Sequence, residues 1–362
     1  MNTSPSPVSE PPYNGLEMDI ETCDWQKACM IFTKKLRILQ LRARFGAREL
    51  VELPDYVGST LRGAFSAALK SSSCKGNETR ACQDSCGWPG LCAYGALMET
   101  PVPENAPGRL EGSRFAPHPV VLTAPGVGGV LFPGDTFELD VTLIGKGAAR
   151  VKETITALVR MASLGIGKGR GELVLRAVTD VSSGKSIWSE DQPDELDLAA
   201  LSPTNLSLPS SEPSSARTPS RLHLTLSTPL QLSRGGNMVE RLDAGELAYA
   251  CADRFRLLDG MHGSGDFSLD AGGIAKQIRG LDIEVTHHDL RRLDIDRYSS
   301  RQRRKHALSG LIGDIVFEGE VSQLASLLQI ATTVHIGKKT SFGFGHITTH
   351  ADHSSDTNGA QG

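Results

Sequence analysis

Between residues 36 and 45 the chain alternates. Leu39, Leu41, Ala43 and Phe45 are apolar, Gln40, Arg42 and Arg44 polar, which is the period of a half-buried strand. Leu61, Ala64, Phe65, Ala68 and Leu69 then fall at i, i+3, i+4, i+7 and i+8, the stripe of an amphipathic helix. Residues 120–122 make a short apolar strand. In the next one, Phe137, Leu139, Val141 and Leu143 alternate with Glu138, Asp140 and Thr142. Val151, Ile155, Leu158, Val159 and Ala162 mark a second helix, and residues 173–178 a last strand. The order is βαββαβ, the ferredoxin-like, RRM-like unit.

The second half repeats it. Leu222, Leu224 and Leu226 alternate; residues 242–258 carry a helical stripe that includes Leu247, Ala248, Ala252 and Phe255. Strands at 281–285 and 315–321 precede a helix through Leu324, Leu327, Leu328 and Ala331, and residues 346–349 close the unit. The expected fold class is α+β, two tandem ferredoxin-like domains with a cysteine-rich insertion in the first. The expected boundaries are a disordered leader at 1–30, a first domain at 31–185 with its insertion at 71–117, and a second domain at 221–350 followed by a disordered tail at 351–362. Residues 186–220 hold six acids, one arginine and five prolines, and read as an acidic Ser/Pro-rich linker.

The 362 residues have room for two cores, and 39% hydrophobic content with 38 glycines is ordinary for a soluble globular protein. The net charge of −4 excludes a uniformly basic coat but not a local basic surface. No apolar run is long enough to cross a membrane, and the first residues lack a signal-peptide core. The expected setting is cytoplasmic, where cysteines serve metals or stay as buried thiols before they form disulfides.

The densest candidate chemistry is the stretch from Ile336 to Gly345, where Gly337, Gly343 and Gly345 mix with Lys338, Lys339, Thr340, Ser341, Phe342 and Phe344. Glycine allows close backbone approach, free N–H groups make an anion concavity, lysines attract phosphate and aromatic rings stack on bases. The plainer alternative is a tight turn entering an edge strand. The same unit occurs earlier: aligning Leu158 with Leu328 superposes Ile166, Gly167 and Lys168 on Ile336, Gly337 and Lys338, with Arg170 close by. A basic run from Arg291 to Lys305 holds seven cations and two aspartates and includes Arg301, Gln302, Arg303 and Arg304. It reads as an RNA contact, or else as a solvated helix or loop face. Arg62 and Arg170 extend this basic track. Cys74, Cys82, Cys86 and Cys92 are enough for a tetrahedral zinc site, or are buried thiols.

The stretches from Gly58 to Phe65, Cys92 to Gly95, Leu164 to Gly171, Arg297 to Gln302, Leu308 to Gly313 and Gly337 to Gly345 occur in an order that resembles the CRISPR-associated endoribonucleases processing precursor CRISPR RNA, within the RAMP superfamily. The resemblance implies tandem ferredoxin-like domains, CRISPR repeat RNA (crRNA) as the partner along with other CRISPR effector-complex subunits, and metal-independent cleavage through the 2′-hydroxyl. It also favours structural zinc at the cysteines, with no cofactor for catalysis. The family's first helix often carries a histidine where this chain has Ala67. His335, which opens the glycine loop, and Lys70, one turn past Ala67, are therefore the candidate catalytic groups. The rival expectation is a non-catalytic RAMP-family subunit that retains crRNA.

Overall fold

The structure is a computed structural model that describes residues 36–75, 86, 90–104, 106–124, 127–206, 219–299 and 304–353, with the backbone alone at 296–299, 304–307 and 353. The expected leader, Cys82 and the stretch from Arg301 to Arg303 lie outside the described residues.

The first domain is built around β1 (Leu36–Ala47), whose period-2 pattern turns Leu39, Leu41, Ala43 and Phe45 into one core. The short β2 (Val51–Leu53) leads into α1 (Gly58–Ser73). Helix α2 (Ala93–Met98) comes next, followed by β3 (Val120–Thr123), β4 (Gly129–Leu131) and β5 (Thr136–Ile144). Helix α3 (Val151–Leu164) and β6 (Leu173–Asp180) complete the unit, and β7 (Ser186–Ser189) and β8 (Thr204–Leu206) extend it. The sheet runs β3-β5-β1-β6-β7, and β8 pairs with the start of β1.

The second domain starts with β9 (Pro219–Leu230), then a small hairpin of β10 (Ser233–Arg234) and β11 (Asn237–Met238). Helices α4 (Ala244–His262) and α5 (Ala271–Arg279) precede the long strands β12 (Ile283–Ser299) and β13 (Arg304–Gly319). Helix α6 (Ser322–Val334) and β14 (Ile347–His353) finish it. The sheet order is β12-β13-β9-β14. Counting only the strands of each βαββαβ unit, both sheets have the spatial order second-third-first-fourth, with antiparallel neighbours.

The domains share a core. Leu36, Ile38, Val121, Ile144 and Leu206 of the first belong to the same buried cluster as Leu247, Phe255 and Leu328 of the second. Leu110 and Ala116, beyond α2, pack on Leu257 and Met261 of α4. Helix α4 is consequently buried round most of its circumference, including the polar Asp253, Arg254, Asp259 and His262. Such a helix is interior rather than a surface amphipath.

Two expectations need correction. The first part of the expected 186–220 linker is folded: β7 pairs with β6, and Ile187 and Trp188 are buried in the first core. One of its acids caps a turn and another, Glu190, pairs with Arg48 and Arg176. Asp197 accepts from the N–H groups of Ala199 and Ala200 at 3.0 and 3.1 Å. The described part of the basic run is also neither helix nor loop face, because it lies on strands β12 and β13, with Arg291 opposite Ile312 and Ser299 opposite Arg304. Leu293 and Ile295 alternate with Arg292 and Asp294 there, a strand signal masked by the charge.

If 186–206 is domain rather than linker, Ile187→Ala should cost about 2–4 kcal/mol in urea unfolding, the ordinary penalty for a truncated core side chain. A change below about 0.5 kcal/mol would restore the linker reading.

Candidate nucleic-acid interface

The two glycine loops have one backbone. Helix α3 ends at Gly165 (φ 71°, ψ 157°) and α6 ends at His335 (φ 54°, ψ 155°). Two residues on, Gly167 and Gly337 have φ of 76° and 81°, and then Gly169 and Lys339 have 81° and 63°. Lys168 N–H donates to the Glu52 carbonyl at 2.9 Å, and Lys338 N–H to the Gln231 carbonyl at 2.9 Å. Ile166 donates to Gly171 and Ile336 to Gly345, both at 3.1 Å. The C-terminal copy differs in having a 3₁₀ turn over Thr340–Phe342.

The glycines serve protein contacts. A side chain on Gly167 would collide with the Glu52 carbonyl, and one on Gly345 with the Ile336 carbonyl. A Cβ on Gly343 would lie 3.0 Å from the Leu122 carbonyl, across the domain junction. The N–H groups of Ile336, Lys338, Phe342, Gly343 and Gly345 all donate to the chain itself. Thr340 and Ser341 are buried. The expected open phosphate cradle is therefore mostly closed, and what the loop offers outward is Lys338, with Phe342 half-exposed beside it. Lys339 is partly covered, its ammonium 5.8 Å from the Phe344 ring centre.

Residues 36–201 match a family model described as an N-terminal domain, and residues 224–347 match the model for CRISPR-associated endoribonuclease Cas6. By that match the second domain is Cas6-like. Comparison with curated proteins gives no match. Among solved structures, a Cas6 product complex is similar over 86% of this chain and 99% of its own, with 16% identity and a TM-score of 0.51. A partial Cas6-RT-Cas1–Cas2 complex is similar over 89% of this chain, with 12% identity and a TM-score of 0.52. This chain spans about half of that longer one, 48%. At these identities the likeness shows the shared fold.

In this Cas6-like domain His335 is not placed to act as a base. It is 2% exposed, and both ring nitrogens are engaged: Nδ1 with the Phe344 carbonyl at 3.1 Å and Nε2 with Thr123 Oγ1 at 3.0 Å. A carbonyl only accepts, so Nδ1–H donates to it, and neutral Nε2 accepts from the threonine hydroxyl. Burial, with the neighbouring His346 ring stacked at 5.0 Å, pushes its pKa down to about 3. The backbone conformation of His335 is one that glycine normally occupies, at a cost of about 1–3 kcal/mol. Its contacts to Thr123 of the first domain and Phe344 of the second hold it there.

The other candidates are scattered. Lys70 stands near the far end of α1, its ammonium 5.0 Å from the ring centre of Tyr94. Ala67 is exposed on the same helix. Lys168 is exposed and pairs with Glu52 at 3.3 Å, and Arg170 sits at positive φ in the first glycine turn. Arg304 is in the hairpin strand β13. Cys74 follows α1, and Cys92 caps α2, its sulfur accepting from Gly95 N–H. Among the described residues no three His, Cys, Asp or Glu side chains converge as a metal site, Cys86 included.

A different constellation went unread in the sequence. The Arg62 guanidinium lies 4.7 Å above the Phe342 ring, and Tyr56 hydroxyl donates to the Phe342 carbonyl at 2.6 Å. His118 stands 6.3 Å from Phe115, and His262 Nε2 donates to the Pro117 carbonyl at 2.7 Å. The signal was the histidine in the stretch Phe115-Ala-Pro-His118-Pro, just before β3.

The buried histidines give a pH prediction. Burial pushes His262 down to about 4 and His335 to about 3, below the ordinary value of about 6.5 in the unfolded chain. The unfolded state thus binds more protons between those values. Stability should be full above pH 6.5 and fall as pH drops toward 4. His335→Asn should lower the urea midpoint at pH 7.5 yet lose less than the wild type on going to pH 4.5. Equal losses would show that His335 is not held neutral by the fold.

Proposed function

We propose that this chain binds CRISPR repeat RNA and cleaves it slowly through attack of the 2′-hydroxyl, with no metal required. The observation that supports RNA binding best is the cationic rim that α1 and the C-terminal loop build together. Arg62 over Phe342 and the exposed Lys338 form its centre, with Lys168 and Arg170 on the twin loop. Cations beside aromatic rings suit phosphates and unstacked bases. Metal independence belongs to this reading because the 2′-hydroxyl is itself the nucleophile and needs only a base, an acid and cations. In-line attack then depends on positioning and on cations that stabilise the developing charge.

A second reading, a subunit that retains crRNA without cutting it, is favoured by two observations. Ala67 leaves that exposed position of α1 without a titratable group, and His335 is enclosed. Incubating the full chain with repeat RNA in EDTA separates the readings. Products with a 5′-hydroxyl and a 2′,3′-cyclic phosphate support cleavage, and tight binding without products supports retention. Failure to bind would overturn both.

Lys338→Ala should weaken binding of single-stranded repeat RNA and make the slope of log affinity against log salt shallower by about 0.7, one phosphate contact. Lys339→Ala should do less, because Lys339 is partly covered. Equal and negligible effects would place the RNA elsewhere, on the β12–β13 hairpin.

A further inference from the structure

The helices of the first domain cover one face of its sheet, and the other face holds a cavity. Alternation along β1 sends Leu39, Leu41, Ala43 and Phe45 to the side packed by α1 and α3, and Arg42 and Arg44 to the opposite side. Their partners in register on β5 are Asp140 and Glu138. Strand β3 pairs with β5 only from Asp140 to Leu143, so the β5 edge before Asp140 has no strand beside it among the described residues. Val127 and Gly128, which lead into β4, and Leu131 of β4 line a cavity of about 430 Å³ together with the four charged side chains.

The four charges are not used alike. Arg42 donates to both carboxylate oxygens of Asp140, from Nε at 2.7 Å and from Nη2 at 2.9 Å, and this pairing fixes the plane of its guanidinium. Arg44 and Glu138 are directly opposite each other across the strands, where opposite charges ordinarily pair. Here they do not. Arg44 is exposed and makes no hydrogen bond or ion pair among the described residues, and Glu138 pairs only with Arg42, at 3.5 Å. A guanidinium fork and a carboxylate thus line one cavity with bonding positions to spare, beside a fixed guanidinium plane and the apolar Val127 and Leu131.

We propose that this cavity takes an unstacked guanine base of single-stranded RNA. Guanine has two acceptors, O6 and N7, on one edge and two donors, N1–H and the N2 amino group, on the adjoining one. Arg44 suits the acceptors and Glu138 the donors, while the ring lies on the Arg42 plane. None of the other three bases offers both a pair of adjacent acceptors and a pair of adjacent donors. The proposal rests on the reading of the chain as an RNA-binding protein and names a base that one of its sites selects.

The test is a titration of the full chain with uridine strands of one length that carry a single central guanosine, adenosine, inosine or 7-deazaguanosine. The phosphates are the same in each, so differences report the base. Wild type should bind the guanosine strand about tenfold more tightly than the adenosine strand, within what one bidentate contact discriminates. Inosine, without the N2 amino group, and 7-deazaguanosine, without N7, should each lose part of that preference, and they probe both contacts on the unaltered chain. Arg44→Lys keeps the charge and loses the fork. It should leave the salt slope and the thermal transition unchanged yet bind the guanosine and 7-deazaguanosine strands equally. Glu138→Ala should bind the guanosine and inosine strands equally. A guanosine preference that survives both variants would overturn the assignment. RNA binding with no base preference in the wild type would remove the pocket and leave the RNA reading intact. If no strand binds, equilibrium dialysis with guanosine and adenosine monophosphates decides: a guanosine preference that Arg44→Lys abolishes keeps the pocket and removes the RNA reading, and no preference removes both.

Discussion

The Tyr56 hydroxyl donates to the Phe342 carbonyl at 2.6 Å, and the Thr228 hydroxyl donates to the next carbonyl, Gly343, at 2.7 Å. One donor comes from the first domain and one from the second, so two successive carbonyls of the C-terminal loop are held from both sides. Burial raises the Tyr56 pKa well above its usual value, which keeps the donor protonated. A side chain on Gly58 would collide with the same Phe342 carbonyl. His335 adds a third tie through Thr123. The loop is thus a joint between domains before it is anything else, and its outward chemistry is what this joint leaves uncovered.

The repeated unit was legible in the sequence down to its register. Aligning Leu158 with Leu328 matches positions whose backbone angles and hydrogen bonds coincide in the structure, because each loop must leave a helix, turn back and bond to its own domain. The strand and helix order was legible for the same reason, since burial on one face imposes a period. What could not be read was the partner of each glycine. A glycine that lets a backbone approach a phosphate and one that lets it approach another peptide carbonyl have the same letter and the same φ. His335 misled in a related way. Its position beside lysines and glycines looks catalytic, whereas its equivalent is Gly165, the helix-ending residue of the other copy.

Charge masked structure twice. The acids between Glu190 and Asp197 obscured the apolar pair Ile187 and Trp188 that anchors β7, and the arginines of β12 obscured the alternating Leu293 and Ile295. Polarity was read as exposure, but a capping aspartate or a hairpin arginine is compatible with regular structure. The junction cluster was hidden for another reason. Arg62 reaches Phe342, and His262 the Pro117 carbonyl, from far apart in sequence, and they meet only because α4 and the C-terminal loop are set against the first domain.

That arrangement is the central claim: the two domains fold around one shared core and one shared loop. Differential scanning calorimetry of the full chain tests it most directly. A shared core predicts one transition, with the calorimetric enthalpy equal to the van't Hoff enthalpy. Two resolved transitions, each with its own enthalpy, would contradict it.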